Sequence, residues 1–190
     1  VLLDRKLEGN SEYRGIYSNN EYAAVVCCNR LIHSGSRDIA FISGPLNAST
    51  SIERFEGYKA VLVQNNIPFH EEMYKNGNYT VESGYKAVME LERCGIKYTS
   101  ILSANDLMAI GALKALRELG YQIPEDVQII GFDNIEFSQY CDPPLSTVQQ
   151  PTYEMGTKVV ILIHRIICGE TVEQPDRLIP RIIMRKTTKF

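Results

Sequence analysis

The sequence has no C-x-x-C spacing, and its five cysteines are odd in number. Cys27 and Cys28 are adjacent, which suits neither an ordinary disulfide nor a metal site; Cys94, Cys141 and Cys168 stand alone. The expectation is five reduced thiols in a cytoplasmic protein. No apolar run reaches the length of a membrane span, and the most apolar stretch, 159–167, is interrupted by His164 and Arg165. Excess basic charge is missing too: 20 Lys and Arg against 23 Asp and Glu give a net charge of −3. A nucleic-acid binder carries a basic stripe. The nearest approach is Arg181, Arg185, Lys186 and Lys189, spaced as one solvated face of a short strand. The basic and apolar regions of a secretory signal do not occur at the start. Val1-Leu2-Leu3 reads instead as a strand already under way, and further sequence is expected ahead of it.

Enzyme signatures are equally scarce. There is no G-x-G-x-x-G dinucleotide fingerprint and no G-x-x-x-x-G-K-[ST] phosphate loop. There is no G-x-S-x-G elbow and no H-E-x-x-H. His33, His70 and His164 are far apart, and none follows a strand. Asp106 and Asp133 could in principle do acid–base work, but no nucleophile or metal cluster accompanies them. No enzymatic activity, catalytic residue, cofactor or metal is therefore expected. Repeats and low-complexity segments are absent as well.

What is present is an ordinary globular balance, 44% apolar and 23% charged over 190 residues. A chain of this length buries roughly 70% of the surface its unfolded form exposes. Hydrophobic periodicity gives a regular alternation. Helices are expected over 20–34, 51–65, 80–94, 105–120 and 153–168. Strands are expected over 38–43, 73–78 (weakly), 99–104, 127–132, 146–149 and 178–185. Gly35, Gly95, Gly120 and Gly169 stand where helices should stop. Thr80 and Asn105 stand where helices should start. Strands alternating with helices imply a parallel sheet covered on both faces, hence an α/β, doubly wound, Rossmann-like fold.

In an open parallel sheet, ligands bind outside the carboxyl ends of the strands. That rule selects Thr50 and Arg54 after the first strong strand, Tyr79 after the weak one, Asn105 and Asp106 after the next, and Asp133 after the buried VQIIGF strand. A cation, an aromatic ring, an amide and carboxylates together suit a small, uncharged, polyhydroxylated ligand. Taken singly, Asn105 also reads as a helix cap and Asp133 as a turn former.

The same residues carry a family resemblance. Gly44-Pro45-Leu46 after a strand, Arg54-Phe55-Glu56-Gly57-Tyr58, and the run from Ala104 through Asn105-Asp106-Leu107-Met108 to Leu113 resemble LacI/GalR regulators. So do Pro124-Glu125-Asp126-Val127, Gly131-Phe132-Asp133-Asn134 and Pro144-Leu145-Ser146-Thr147-Val148 with Gln150. The match covers essentially the whole chain, with Ser36 in place of the family's usual histidine. The resemblance implies a two-lobe core of the type I periplasmic-binding-protein kind with the first lobe incomplete. Residues 1–18 would end the first lobe and 19–149 would form the second. Residues 150–181 would return to the first lobe, and 182–190 would place the last strand in the second. The implied function is the effector-sensing and dimerisation core of a sugar-responsive repressor. Its alternatives are a regulator controlled by a phosphorylated phosphocarrier protein, or the sugar receptor of a transporter.

Carried over by position, the ligand contacts are Asp4, Thr50, Arg54, Tyr79, Asn105, Asp106 and Asp133. The homodimer surface is Met108, Ile110, Leu113, Tyr140 and Cys141, with intramolecular core as the other reading of that stripe. Operator DNA would be met only through a helix-turn-helix segment that this sequence does not contain, and no membrane is involved.

Overall fold

The computed structural model describes residues 1–6, 13–172 and 177–189. Strands β1 (Leu2–Leu3) and β2 (Gly15–Ser18) come first, then helix α1 (Asn20–His33). The chain continues as β3 (Ile39–Ser43), α2 (Ser49–Gln64), β4 (Tyr74–Asn76), α3 (Val81–Arg93), β5 (Ser100–Ser103), α4 (Asp106–Glu118) and β6 (Gln128–Ile130). It closes with β7 (Thr147–Gln149), α5 (Thr152–Ile167), β8 (Arg177–Leu178) and β9 (Arg181–Ile183).

Every residue of β3, β5 and β6 is buried, as strands covered on both faces must be. These strands and β4 form one parallel sheet in the order β4-β3-β5-β6. Its switch point lies between β3 and β5, where the crossovers turn in opposite directions. Helices α1 and α2 pack together, as do α3 and α4. The second pair crosses very closely: a Cβ on Gly111 would lie 1.9 Å from the Val81 carbonyl oxygen, and one on Gly84 equally near that of Met108. Beyond β6, β7 adds on through parallel bridges, and β9 pairs antiparallel with it. A separate parallel sheet, β1-β2-β8, forms the smaller lobe with α5 packed on β2.

Helix starts match their chemistry. The side chains of Asn19, Thr80 and Asn105 accept hydrogen bonds from Tyr22, Ser83 and Met108 backbone N–H at 3.2, 3.2 and 2.9 Å. Gly35, Gly95, Gly120 and Gly169 all have positive φ just past helix ends. All five cysteines are free. Burial pushes the Cys27 and Cys28 thiols up, the latter to about 12, so both behave as apolar core residues.

Two expectations need correction. The final strand is not one run over 178–185: Pro180 has no N–H to offer, and the chain splits into β8 in the smaller sheet and β9, which pairs antiparallel with β7 beside the four-stranded sheet. The four-stranded sheet itself is parallel throughout, as expected. In the proposed dimer stripe, Met108 is 0% and Leu113 4% exposed. Both lie in the main core, because α4 is covered by the sheet on one side and by α3 on the other. Ile110 is half-buried against that core, Cys141 is half-buried, and Tyr140 is fully exposed.

Candidate ligand-binding cleft

A cavity of about 360 Å3 opens at the carboxyl ends of the parallel strands. Leu3, Asp4, Arg5, Thr50, Arg54, Tyr79, Asn105, Leu107 and Asp133 line it. Six of the seven expected ligand contacts therefore meet in one place. A larger hollow of about 480 Å3 along 149–154, closed by Ile179 and Arg181, draws nothing from the ends of β3, β5 or β6.

Arg54 sits on the second turn of α2 and is 4% exposed. A buried guanidinium must be satisfied by neighbours. Its Nε donates to Asn20 Oδ1 at 2.9 Å, and its Nη1 donates to the Ala104 carbonyl. The guanidinium lies over the Phe132 ring, 4.3 Å from its centroid. Nη2 remains, 3.8 Å from Asp133 Oδ1. The cation is thus fixed on three sides and aimed at the cleft on the fourth.

Asp133 follows β6. Burial holds its carboxyl above the usual range, Arg54 pulls it down, and Asp4 across the cleft pushes it up. Asp4 comes from the smaller lobe just after β1. Its Oδ1 accepts the Ser18 backbone N–H at 3.0 Å, and burial raises its carboxyl as well. The cleft therefore holds two carboxylates that face each other around one buried cation. Such a pair is eased by a ligand that donates hydrogen bonds, as a hydroxyl does.

Tyr79 follows β4. Its hydroxyl is 2.5 Å from Ser51 Oγ and 3.3 Å from Thr50 Oγ1, and its carbonyl accepts from Asn105 Nδ2 at 3.2 Å. The ring lies directly on Gly44, where a Cβ would fall 2.2 Å from it. That contact requires glycine and explains the residue between the strand and Pro45. Asn105 both caps α4 and reaches toward the cleft.

Backbone strain concentrates here. Among the described residues, the non-glycine positions with positive φ are Asp4, Asn66, Tyr79, Asp133 and Asn134. Three of them line the cavity and a fourth is adjacent. Conformations of this kind persist only where surrounding structure imposes them, and they cluster at binding sites.

Asp106 does not line the cavity. It is 0% exposed, its Oδ1 accepts from the Thr147 hydroxyl at 2.5 Å, and its Oδ2 accepts from the Ile135 backbone N–H at 2.9 Å. Its place after β5 resembles a ligand position, but as the first residue of α4 it points into the sheet rather than out of it.

The sequence reading missed several residues. Leu3, Arg5 and Leu107 line the cleft beside residues it did select. Asn20 orients Arg54 from an adjoining helix, and no local pattern announces that contact. Glu53 draws Lys6 at 2.5 Å and Arg177 at 3.7 Å from the smaller lobe, so it ties the two lobes beside the cleft. Gln150 follows Gln149, which bridges to Asp133. Gln150 is buried, and its side-chain amide, beside the Asp133 carboxylate, opposes the rise that burial imposes there. Among the described residues no group of His, Cys, Asp and Glu could hold a metal ion.

Comparison with known proteins agrees with this fold. The family model of a periplasmic binding protein-like domain matches residues 28–188. The transcriptional regulator AscG of Escherichia coli strain K12 is 35% identical over 185 residues, which is 97% of this chain and 55% of AscG. A sugar-binding LacI-family regulator from Escherichia coli, solved with phosphate, has a TM-score of 0.89 at 35% identity, over 97% of this chain and 66% of that one. The lac repressor dimer bound to operator and the anti-inducer ONPF has a TM-score of 0.86 at 30% identity, over 91% and 60% of the two chains. The chain spans about half the length of AscG. It belongs to the periplasmic binding protein-like domain family, in the form that makes up the effector-binding core of LacI-type transcription regulators.

Proposed function

We propose that this chain senses a small sugar, or a closely related polyol, as the core of a cytoplasmic LacI-type repressor. The ligand enters between Asp4 of the smaller lobe and the strand ends of the larger one. It favours one closure state and so changes the DNA affinity of a helix-turn-helix head outside this chain. The change requires different affinities for the two states. One observation carries the reading: side chains after β3, β4, β5 and β6 converge with Asp4 on a single 360 Å3 cavity.

Each group has a task in binding rather than in bond-making. Asp4 and Asp133 accept ligand O–H groups, and Arg54 Nη2 donates to a ligand oxygen. Thr50 and Asn105 add neutral hydrogen bonds. The Tyr79 ring covers an apolar face of the ligand. The likeness to a regulator described as sugar-binding supports the ligand class. The likeness to a repressor solved as a dimer on its operator supports the assembly. Among the described residues no helix is long and apolar enough to cross a membrane.

A thermal-shift screen of monosaccharides and disaccharides tests the proposal, followed by calorimetry. At least one sugar should raise the melting temperature. Asp133→Ala should weaken its binding by about 1.5–3 kcal/mol, the worth of a hydrogen bond to a charged group. A panel without any stabilising sugar, or unchanged affinity in that variant, would overturn the reading.

A further inference from the structure

The turn after β6 is held in a conformation its own residues disfavour. Asp133 and Asn134 are consecutive and have φ of 107° and 51°, although neither is glycine. Something outside the turn must impose that shape. Two buried or half-buried side chains do so. Asp106, the first residue of α4, accepts the Ile135 backbone N–H through Oδ2 and the Thr147 hydroxyl through Oδ1, at 2.9 and 2.5 Å. Thr147 Oγ1 in turn accepts the Asn134 backbone N–H at 3.2 Å. Arg185, two residues past β9, donates to Asn134 Oδ1 at 2.7 Å, to Ser138 Oγ at 3.1 Å and to the Leu145 carbonyl at 2.7 Å.

We infer that Asp106 and Arg185 are positioning residues that clamp the turn 133–138 and thereby aim the Asp133 carboxylate into the cleft. The inference rests on the reading of that cleft as the ligand site. Two further observations support it. Gly131 leaves the space the clamp needs, since a Cβ there would lie 2.3 Å from Asp106 Oδ1. The clamp is also closed on the backbone side: Asp133 N–H donates to the Val148 carbonyl at 2.8 Å, so the three successive amides of 133–135 all end on β7 or on Asp106.

The clamp joins three parts of the molecule at one turn. α4 reaches it through Asp106, and the chain arriving from the smaller lobe reaches it through Arg185. Phe137 and Tyr140, both exposed, sit at and just beyond its far end. A ligand that draws on Asp133 therefore pulls on the same turn that presents those two rings.

Amide hydrogen exchange of the full, sugar-free chain tests the clamp directly. Asp106→Ala and Arg185→Met should each speed exchange across 133–138 by about ten-fold, while the amides of α1 and β3 keep their protection. Asp106→Asn should stay near the wild-type rate, because its amide accepts from Ile135 and donates to Thr147. The second arm is calorimetry with the monosaccharide and disaccharide panel. Asp106→Ala and Arg185→Met should bind about ten-fold more weakly, and Asp106→Asn as wild type. Should Asp106→Ala fail to fold, Arg185→Met decides both arms. Unchanged exchange in the turn, or protection lost evenly over the whole lobe, overturns the clamp. Faster exchange with unaltered affinity overturns the positioning role. If the wild type binds no sugar in the panel, the ligand reading fails, and the exchange arm still decides whether Asp106 and Arg185 hold the turn.

Discussion

The two lobes follow one plan, parallel strands with helices packed on them, yet they bury very different amounts of it. In the larger lobe a single apolar cluster runs from Ala23 on α1 to Val148 on β7, with helices on both faces of the sheet. Phe41 at its centre stacks on Tyr58, with ring centroids 5.1 Å apart, and the Tyr58 hydroxyl closes on the Ile39 carbonyl at 2.8 Å. In the smaller lobe the buried cluster among the described residues is Ile16, Met155, Leu162 and Leu178. There α5 carries Lys158, His164 and Arg165 on its surface, yet Val160, Ile161, Ile163, Ile166 and Ile167 also remain exposed. The contrast teaches where the cleft gets its rigidity. Every expected contact except Asp4 stands on the lobe that is fully packed.

The largest expected effects lie in that difference. Phe41→Ala should cost about 3–5 kcal/mol by denaturant unfolding, whereas Leu162→Ala should fall at or below the low end of the 2–5 kcal/mol range for such truncations. Equal losses would break the comparison. Within the larger lobe, Arg54 and Asp133 should separate stability from binding. Arg54→Ala leaves the Asn20 side chain and the Ala104 carbonyl without their buried donor. It should cost about 3 kcal/mol of stability along with the ligand. The Asp133 side chain is 38% exposed, so Asp133→Ala should change stability by less than about 1 kcal/mol and show its effect in calorimetry instead.

The legible parts of the molecule were those with local causes. The buried strand IAFIS, the caps Thr80 and Asn105 and the glycines past the helix ends each declare themselves within a few residues. Strand-end position then collected five cleft residues from separate parts of the chain, and the family resemblance added Asp4. What failed depends on three dimensions. Periodicity cannot tell a helix face that meets a second helix from one that meets a second subunit, so Met108 and Leu113 were misplaced. Position after a strand cannot tell an outward carboxylate from an inward one, so Asp106 was grouped with Asp133. The strand β2 is only four residues long and follows no pattern of its own; its partners lie on both sides in β1 and β8.

The corrected stripe sharpens the dimer proposal. Met108→Asp buries a charge in the core and should unfold the chain. Tyr140 is 71% exposed, so Tyr140→Asp should leave circular dichroism unchanged. If the surface around Tyr140, Phe137 and Ile110 is where two copies meet, that substitution strikes a twofold interface twice. Sedimentation should then show a shift toward monomer. A folded Tyr140→Asp dimer of wild-type affinity would remove this surface from the proposed interface.

The smallest expected effect separates the two aspartates that follow β5 and β6. Burial pushes the Asp106 carboxyl up to about 7, assisted by Asp133; Arg185, the Thr147 hydroxyl and the Ile135 N–H oppose it. Cys141 also lies within its field. An acid raised in the folded state holds a proton there that the unfolded chain has already released. Stability from this group is therefore greatest at low pH and is lost as pH rises through about 7. Between pH 6 and pH 8 the loss should be about 1.4 kcal/mol, one pKa unit's worth. Asp106→Asn cannot ionise and should flatten that slope, while Asp4 and Asp133, raised in the same direction, remain to titrate in both proteins. In its protonated form Asp106 can still accept from Ile135 and donate to Thr147, so the turn should keep its hydrogen-exchange protection across the same pH range. A wild-type slope in Asp106→Asn would assign the titration to the cleft pair instead.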